Sequence, residues 1–158
     1  MEKSQAILLK IKSAFPGLLG TGTVPAPRRV YLDVPNDIFL DVLRYAQKDL
    51  NFKHLCTITG LDTGEHFEFI YHIANTEGVV LNIKITAPRE DSEIPSVLPI
   101  YEGAIFYERE LEGILGVKVK GLPEGRQYPL PDNWPKDQHP LRKDWKPEML
   151  DASSKGGC

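Results

Sequence analysis

Cysteine is scarce: the 158 residues contain two, Cys56 inside an apolar segment and Cys158 at the last position. Two such residues cannot make the dense framework of a disulfide-stapled secreted domain, and their spacing resembles no iron–sulfur ligand set. A reducing compartment is favoured. A long apolar run is also missing. The opening MEKSQAILLKIKSAFPG is broken by Lys10 and Lys12, which leaves neither a signal-peptide core nor a membrane span, so any membrane location would come through a partner. Neither sign of charge dominates: 19 Lys or Arg against 22 Asp or Glu give a formal charge of -3. That balance supplies no general attraction to nucleic acid or to an anionic membrane. LLGTGTVPAPRR is rich in glycine, yet it lacks the GxxxxGK[ST] pattern of a phosphate-binding loop. No internal repeat is evident. The chain suffices for one compact domain burying about two-thirds of its unfolded surface.

Hydrophobic spacing supplies the elements. From Ser4 to Phe15, Ile7, Leu8, Ile11 and Phe15 recur at helical intervals, and Pro16 and Gly17 end the run. LLGTGTVPAPRR then reads as a connection. Val30, Leu32 and Val34 alternate with Arg29, Tyr31 and Asp33, as in a half-buried strand. A second helix places Ile38, Val42, Leu43, Ala46 and Leu50 on one broad face, with Asn36 as its expected cap. Three strands follow, Phe52 to Thr59, Glu65 to Ala74 and Val79 to Thr86, and the first sets His54, Cys56 and Ile58 opposite Leu55 and Thr57. Their connections, Asp62 to Gly64 and Asn75 to Gly78, are short enough only for antiparallel hairpins.

After PRED, Pro95 and Pro99 restrict any helix to short pieces. From Tyr101 onward, Ala104, Tyr107, Leu111, Ile114 and Leu115 form a third helical stripe that ends before Gly116, leading into VKVK. Beyond Lys120, six of the thirteen prolines lie between Pro123 and Pro147, among Tyr128, Leu130, Trp134, Leu141 and Trp145. No continuous helix or central strand fits there. Large apolar anchors on an extended arm suit the grooves of a partner, and the alternative is that the arm wraps its own domain. The expected class is α+β, with helices packed on a largely antiparallel sheet across residues 1–120 and an extended nonregular arm across 121–158.

Four groups of residues carry chemical potential. His66, Glu68 and His72 are of metal-ligand type, but on one straight strand the two histidines stand about 20 Å apart at ~3.3 Å per residue, too far for one ion. Surface or sheet-pairing roles are favoured. Cys56 and His54 would face the same side of a strand, where a thiolate could be activated, yet no orienting group accompanies them. A buried structural cysteine is the simpler reading, and a small standalone Cys/His enzyme the remote one; Cys158 is reactive only by terminal exposure. In FYERELEG, Glu108 and Glu112 are four apart and Arg109 lies between Glu108 and Glu110. A solvated helix face and an interface ion-pair network both fit. Paired carboxylates for glycoside chemistry would need a cleft that this local pattern does not supply. Finally, DNWPKDQHPLRKDW sets Arg142 and Lys143 beside the anchors Trp134, Leu141 and Trp145, as in a protein-docking segment. Asp132, Asp137 and Asp144 interrupt the positive field that nucleic acid would require.

The ordered combination of FYERELEG, Gly116 and HPLRKDW resembles the 30 kDa (C-type) subunit family of respiratory complex I, and the corresponding subunit of energy-converting membrane-bound [NiFe] hydrogenases. The resemblance spans about Val30 to Trp145. It implies a non-catalytic structural subunit of the hydrophilic arm with no cofactor of its own, packed against the large subunit of the hydrogenase or complex I 49 kDa type. A small Fe–S subunit and other peripheral-arm subunits would be its neighbours. Fe–S clusters, and in the hydrogenase branch a NiFe centre, would sit in those partners, and the chain would lie at the cytoplasmic face of the membrane as a peripheral subunit. Carried onto this sequence, Phe106, Glu108, Arg109 and Glu110 are expected in an interface or in intrachain ion pairs. Trp134, His139, Leu141, Arg142, Lys143 and Trp145 are expected in the locking arm. Phe106 stands where the respiratory pattern has Trp, and Gly113 and Leu115 occupy the stretch that commonly holds an Asp and an aromatic. These departures resemble the hydrogenase or related energy-converting branch more than the 30 kDa subunit of an NADH- or quinone-linked dehydrogenase.

Overall fold

A computed structural model describes residues 1–150. The first helix, α1 (Glu2–Ala14), buries Ser4, Leu8 and Ile11 at the expected spacing. Phe15 leaves it to meet Tyr45 edge-on at 5.7 Å. The following glycine-rich stretch is more than a connection. It contains a 3-10 turn, Pro16–Leu18, and a short strand β1 (Thr23–Ala26) paired antiparallel with β2 (Arg29–Asp33). Pro25 conceals this strand from a propensity reading, yet it is tolerated because β1 lies at the sheet edge, where one row of N–H groups needs no partner.

Helix α2 (Phe39–Lys48) turns Phe39, Val42, Leu43 and Ala46 into the core. Its N-cap is Ile38, and Asn36, expected in that role, instead donates Nδ2 to the Thr86 carbonyl at 2.8 Å. Strands β3 (His54–Asp62), β4 (His66–Ala74) and β5 (Val80–Pro88) form the two antiparallel hairpins that their short turns require. The five-stranded order is β1-β2-β5-β4-β3. Only β2 and β5 run parallel, since α2 and the β3–β4 hairpin separate them in sequence and provide the crossover.

Strict alternation fails in β3. Leu55 and Ile58 are both buried because the register slips between Leu55 and Thr57, so a bulge at Cys56 restores Ile58 to the core side. The inner sheet face carries Phe67, Phe69, Tyr71, Leu81, Ile83, Val30 and Leu32, all essentially water-free. Helix α3 (Ile105–Leu115) covers β3, entered through a 3-10 turn at Glu102–Ala104. Gly60 allows that approach, because a Cβ there would meet Leu111 and Leu115 side chains at 2.6 and 2.5 Å. The prolines near Pro95 give no helix. They flank β6 (Glu93–Pro95), which pairs in parallel with β7 (Lys118–Lys120) as a separate small sheet. The architecture is α+β, as the sequence implies.

Candidate interaction surface: helix α3 and the C-terminal strap

An α-helix ends with carbonyls that have no partner within the helix. In α3 the C-terminal strap, residues 121–150 of the expected arm, supplies donors to four carbonyls of that end. His139 Nδ1 donates to the Gly113 carbonyl at 2.9 Å, Leu141 N to Ile114 at 3.0 Å, and Arg142 Nε to Leu115 at 2.7 Å. Arg142 Nη2 reaches the Gly116 carbonyl at 3.5 Å. Gly116 adopts the left-handed conformation (φ 71°) that closes the helix, and its missing side chain leaves room for the His139 ring. Much of HPLR is therefore a helix cap delivered from 26 or 27 residues along the chain.

The next residues fasten the strap to the β3–β4 turn. Arg142 stacks over Phe67, its guanidinium carbon 5.2 Å from the ring centre. Lys143 donates its backbone N–H to Asp62 at 2.8 Å and its Nζ to the Thr63 carbonyl at 3.0 Å. Arg89, from PRED, bridges Asp62 and Asp144 at 2.9 Å each. The Asp62 side chain is only 1% exposed. Burial pushes its carboxyl up, but the N–H groups of Lys143 and Gly64 and the Arg89 guanidinium outweigh it and hold the group below its ordinary range. Trp134 and Trp145 pack at 6.1 Å, and their indole N–H groups donate to the carbonyl and side chain of Gln138.

Charges in FYERELEG divide by face. Glu108 is fully buried and has no ion-pair partner among the described residues, so it belongs neither to a solvated face nor to an ion pair. It accepts from Val97 N at 2.6 Å and Ser96 Oγ at 2.7 Å, pinning the segment after β6 to α3. Desolvation raises its carboxyl above the ordinary range despite those donors. Arg109 donates to the Pro123 carbonyl at 2.9 Å and the Arg126 carbonyl at 3.4 Å, with Gly125 packed against its guanidinium. Glu110 is half-buried, whereas Phe106 is 61% exposed.

The other candidates are dispersed. His66 stands 3.5 Å from Glu68, which also meets Lys84. His72 lies elsewhere in a chain across four strands. Asn82 donates Nδ2 to the Val30 carbonyl, so its Oδ1 accepts from His72 Nδ1 at 2.6 Å, while His72 Nε2 meets Thr59 Oγ1 at 3.0 Å. Cys56 is half-buried at the bulge, its carbonyl accepting from the Tyr107 hydroxyl. His54 is exposed. No group of three or more His, Cys, Asp or Glu among the described residues could hold a metal ion. Cys158 and the end of the arm lie outside the described residues. Sequence reasoning missed Asp62, Arg89 and Asp144, whose only signal was a polar residue at a tight turn and an isolated basic residue in PRED.

The sequence profile of a family described as respiratory-chain NADH dehydrogenase, 30 Kd subunit, matches residues 32–149. The C-type subunit of the F(420)H(2) dehydrogenase of Methanosarcina mazei is 34% identical over 146 residues, covering 90% of this chain and 92% of that protein. Hydrogenase-4 component G of Escherichia coli is 32% identical over 151 residues, which is 90% of this chain but 26% of component G. Among solved structures, a chain of the membrane-bound sulfane sulfur reductase, an archaeal respiratory membrane complex, superposes with a TM-score of 0.82 at 30% identity. That match covers 98% of this chain and 91% of the other. The strap, the capped helix and the sheet thus lie within a shared architecture, and the chain belongs to the family of the 30 kDa subunit of respiratory-chain NADH dehydrogenase.

Proposed function

We propose that this chain is a cofactor-free structural subunit in the hydrophilic arm of a membrane-bound [NiFe] hydrogenase or a related complex I-like oxidoreductase. It docks to the large catalytic-type subunit and stabilises it. The observation that carries this reading is the near-full-length likeness, at 30% identity, to a chain of a respiratory membrane complex. The local chemistry agrees with it. Arg109, His139, Arg142 and Lys143 have their donors on backbone carbonyls of the same chain, an arrangement that shapes a surface.

Electron transfer needs redox centres at fixed separations, and a rigid sheet with a fastened strap can hold neighbouring subunits in place without carrying a centre itself. In this reading Fe–S clusters and any NiFe centre belong to the large and the small Fe–S subunits. The chain reaches the cytoplasmic face of the membrane only through them; no helix among its described residues is long and apolar enough to cross one. Phe106, Glu110 and Leu141 present the docking face. Glu108, Arg109, Trp134, His139, Arg142, Lys143 and Trp145 fix its shape. Relatives named for an F(420)H(2) dehydrogenase and for a hydrogenase stand at 34% and 32% identity, so the electron donor is a property of other subunits.

Affinity purification of the native assembly, with metal analysis and cross-linking mass spectrometry, tests the proposal. A large subunit and an Fe–S subunit should copurify, with the metals in those chains. A free monomer that turns over a substrate of its own would overturn it.

A further inference from the structure

A groove runs between α3 and the first half of the strap. At one end a cavity of about 440 Å3 opens beside Phe106 and Tyr128, whose rings meet edge-on at 5.6 Å, with Pro129 and Pro131 in its lining. At the other, about 320 Å3 is bounded by Arg126, Lys136 and His139. Arg109, Arg126 and Gln127 line both parts, so the two adjoin along this wall. Phe106 is 61% and Tyr128 44% exposed, an unusual investment of aromatic surface in water.

The charge of this groove is uneven. Three cations line it, and among its lining residues the one carboxylate is Glu112, which already accepts from Val119 N at 3.1 Å. Lys136 has no ion-pair partner among the described residues. Arg126 pairs with Asp132 on the outside, in a contact where both side chains are well exposed. An incoming carboxylate can displace such a contact at little cost. Arg109 holds the wall through the Pro123 and Arg126 carbonyls and is a positioning residue here. An apolar anchor at one end and, at the other, Lys136 beside an arginine held only by an exposed contact define the occupant.

We infer that the groove receives an acidic segment of the large partner subunit. An aromatic or aliphatic side chain lodges between Phe106 and Tyr128, and a carboxylate a few residues along meets Arg126 and Lys136. This rests on the docking role proposed above and names the chemistry of the contact.

The test places a photo-crosslinking p-benzoylphenylalanine at Phe106 of the full chain in its native assembly. A second preparation carries Arg126→Glu with Lys136→Glu, and circular dichroism checks that its fold is unchanged. The expected adduct is a large-subunit peptide with Asp or Glu within a few residues of the contact, and charge reversal should lower partner recovery about tenfold. If no large subunit is recovered with the unaltered chain, the docking role itself fails. If it is recovered, but Phe106 captures a second copy of this chain, a peptide without acidic residues, or nothing, the groove assignment alone is overturned. Unchanged recovery on charge reversal overturns it equally.

Discussion

Glu108 is fully buried with no ion-pair partner among the described residues, and two donors from a neighbouring segment hold it. Glu108→Ala leaves the Val97 N–H and the Ser96 hydroxyl without that acceptor, at a cost of about 1–3 kcal/mol, readable as a lower urea midpoint. The sign of the pH effect follows from its raised carboxyl. The folded chain binds this proton more tightly than the unfolded one, so its favourable contribution is complete below the ordinary glutamate value and is lost as pH rises through the folded one. Glu108→Gln should flatten that slope while keeping neutral-pH stability close to wild type; urea titrations across pH 4 to 8 measure it. Nearby, the Tyr71 hydroxyl is buried with no hydrogen-bond partner among the described residues, and burial together with the Glu108 charge holds its proton far above the ordinary phenol value. Tyr71→Phe removes an unpaired polar atom and keeps the ring that packs on Phe39 at 4.7 Å. The expected result is unchanged stability or a gain of up to about 1 kcal/mol by thermal denaturation.

At the scale of elements, α3 and the strap form one unit. A chain ending at Gly121 retains the five-stranded sheet, whose pairing lies wholly before that point. It loses every strap donor to the carbonyls of residues 113–116, so the last turns of α3 should fray. Hydrogen exchange checks this: amide protection should fall in α3 and persist in β4 and β5, and equal protection in both chains would sink the account. The same unit marks where sequence reading stops. The two hairpins were legible because short polar turns permit no other connection, and α3 because its apolar stripe ends at Gly116. The bulge at Cys56 was not, since one extra residue in β3 inverts an alternation that looks regular. Nor were β6 and β7, because three-residue strands carry no usable period. The cap was half visible. A helix closing on a left-handed glycine advertises unpaired carbonyls, but nothing local says that His139 to Arg142 will return to meet them. FYERELEG misled for a related reason: spacing reports which residues share a helix face, and whether water or another segment covers that face is a tertiary fact.

For the whole molecule, the body and the strap have different acid sensitivities. Asp62 joins them, accepting from Lys143 of the strap and Gly64 of the turn and pairing with Arg89, which also grips Asp144. Its folded carboxyl lies below the ordinary aspartate value, so its contribution to the attachment is fully present above that value and is lost as pH falls through the folded one. The sheet core is held by buried side chains that keep their protonation state in acid. Both tryptophans of the chain, Trp134 and Trp145, lie in the strap, so their fluorescence reports the strap while far-ultraviolet circular dichroism reports the body. On acidification the fluorescence transition should come first, with the dichroism of the body retained. Asp62→Asn removes the charge that Arg89 and the Lys143 N–H hold, so it should show the released fluorescence already near neutral pH and no early acid step. Coincident fluorescence and dichroism transitions in the wild-type chain would mean that strap and body unfold as one, and that Asp62 does not govern the joint.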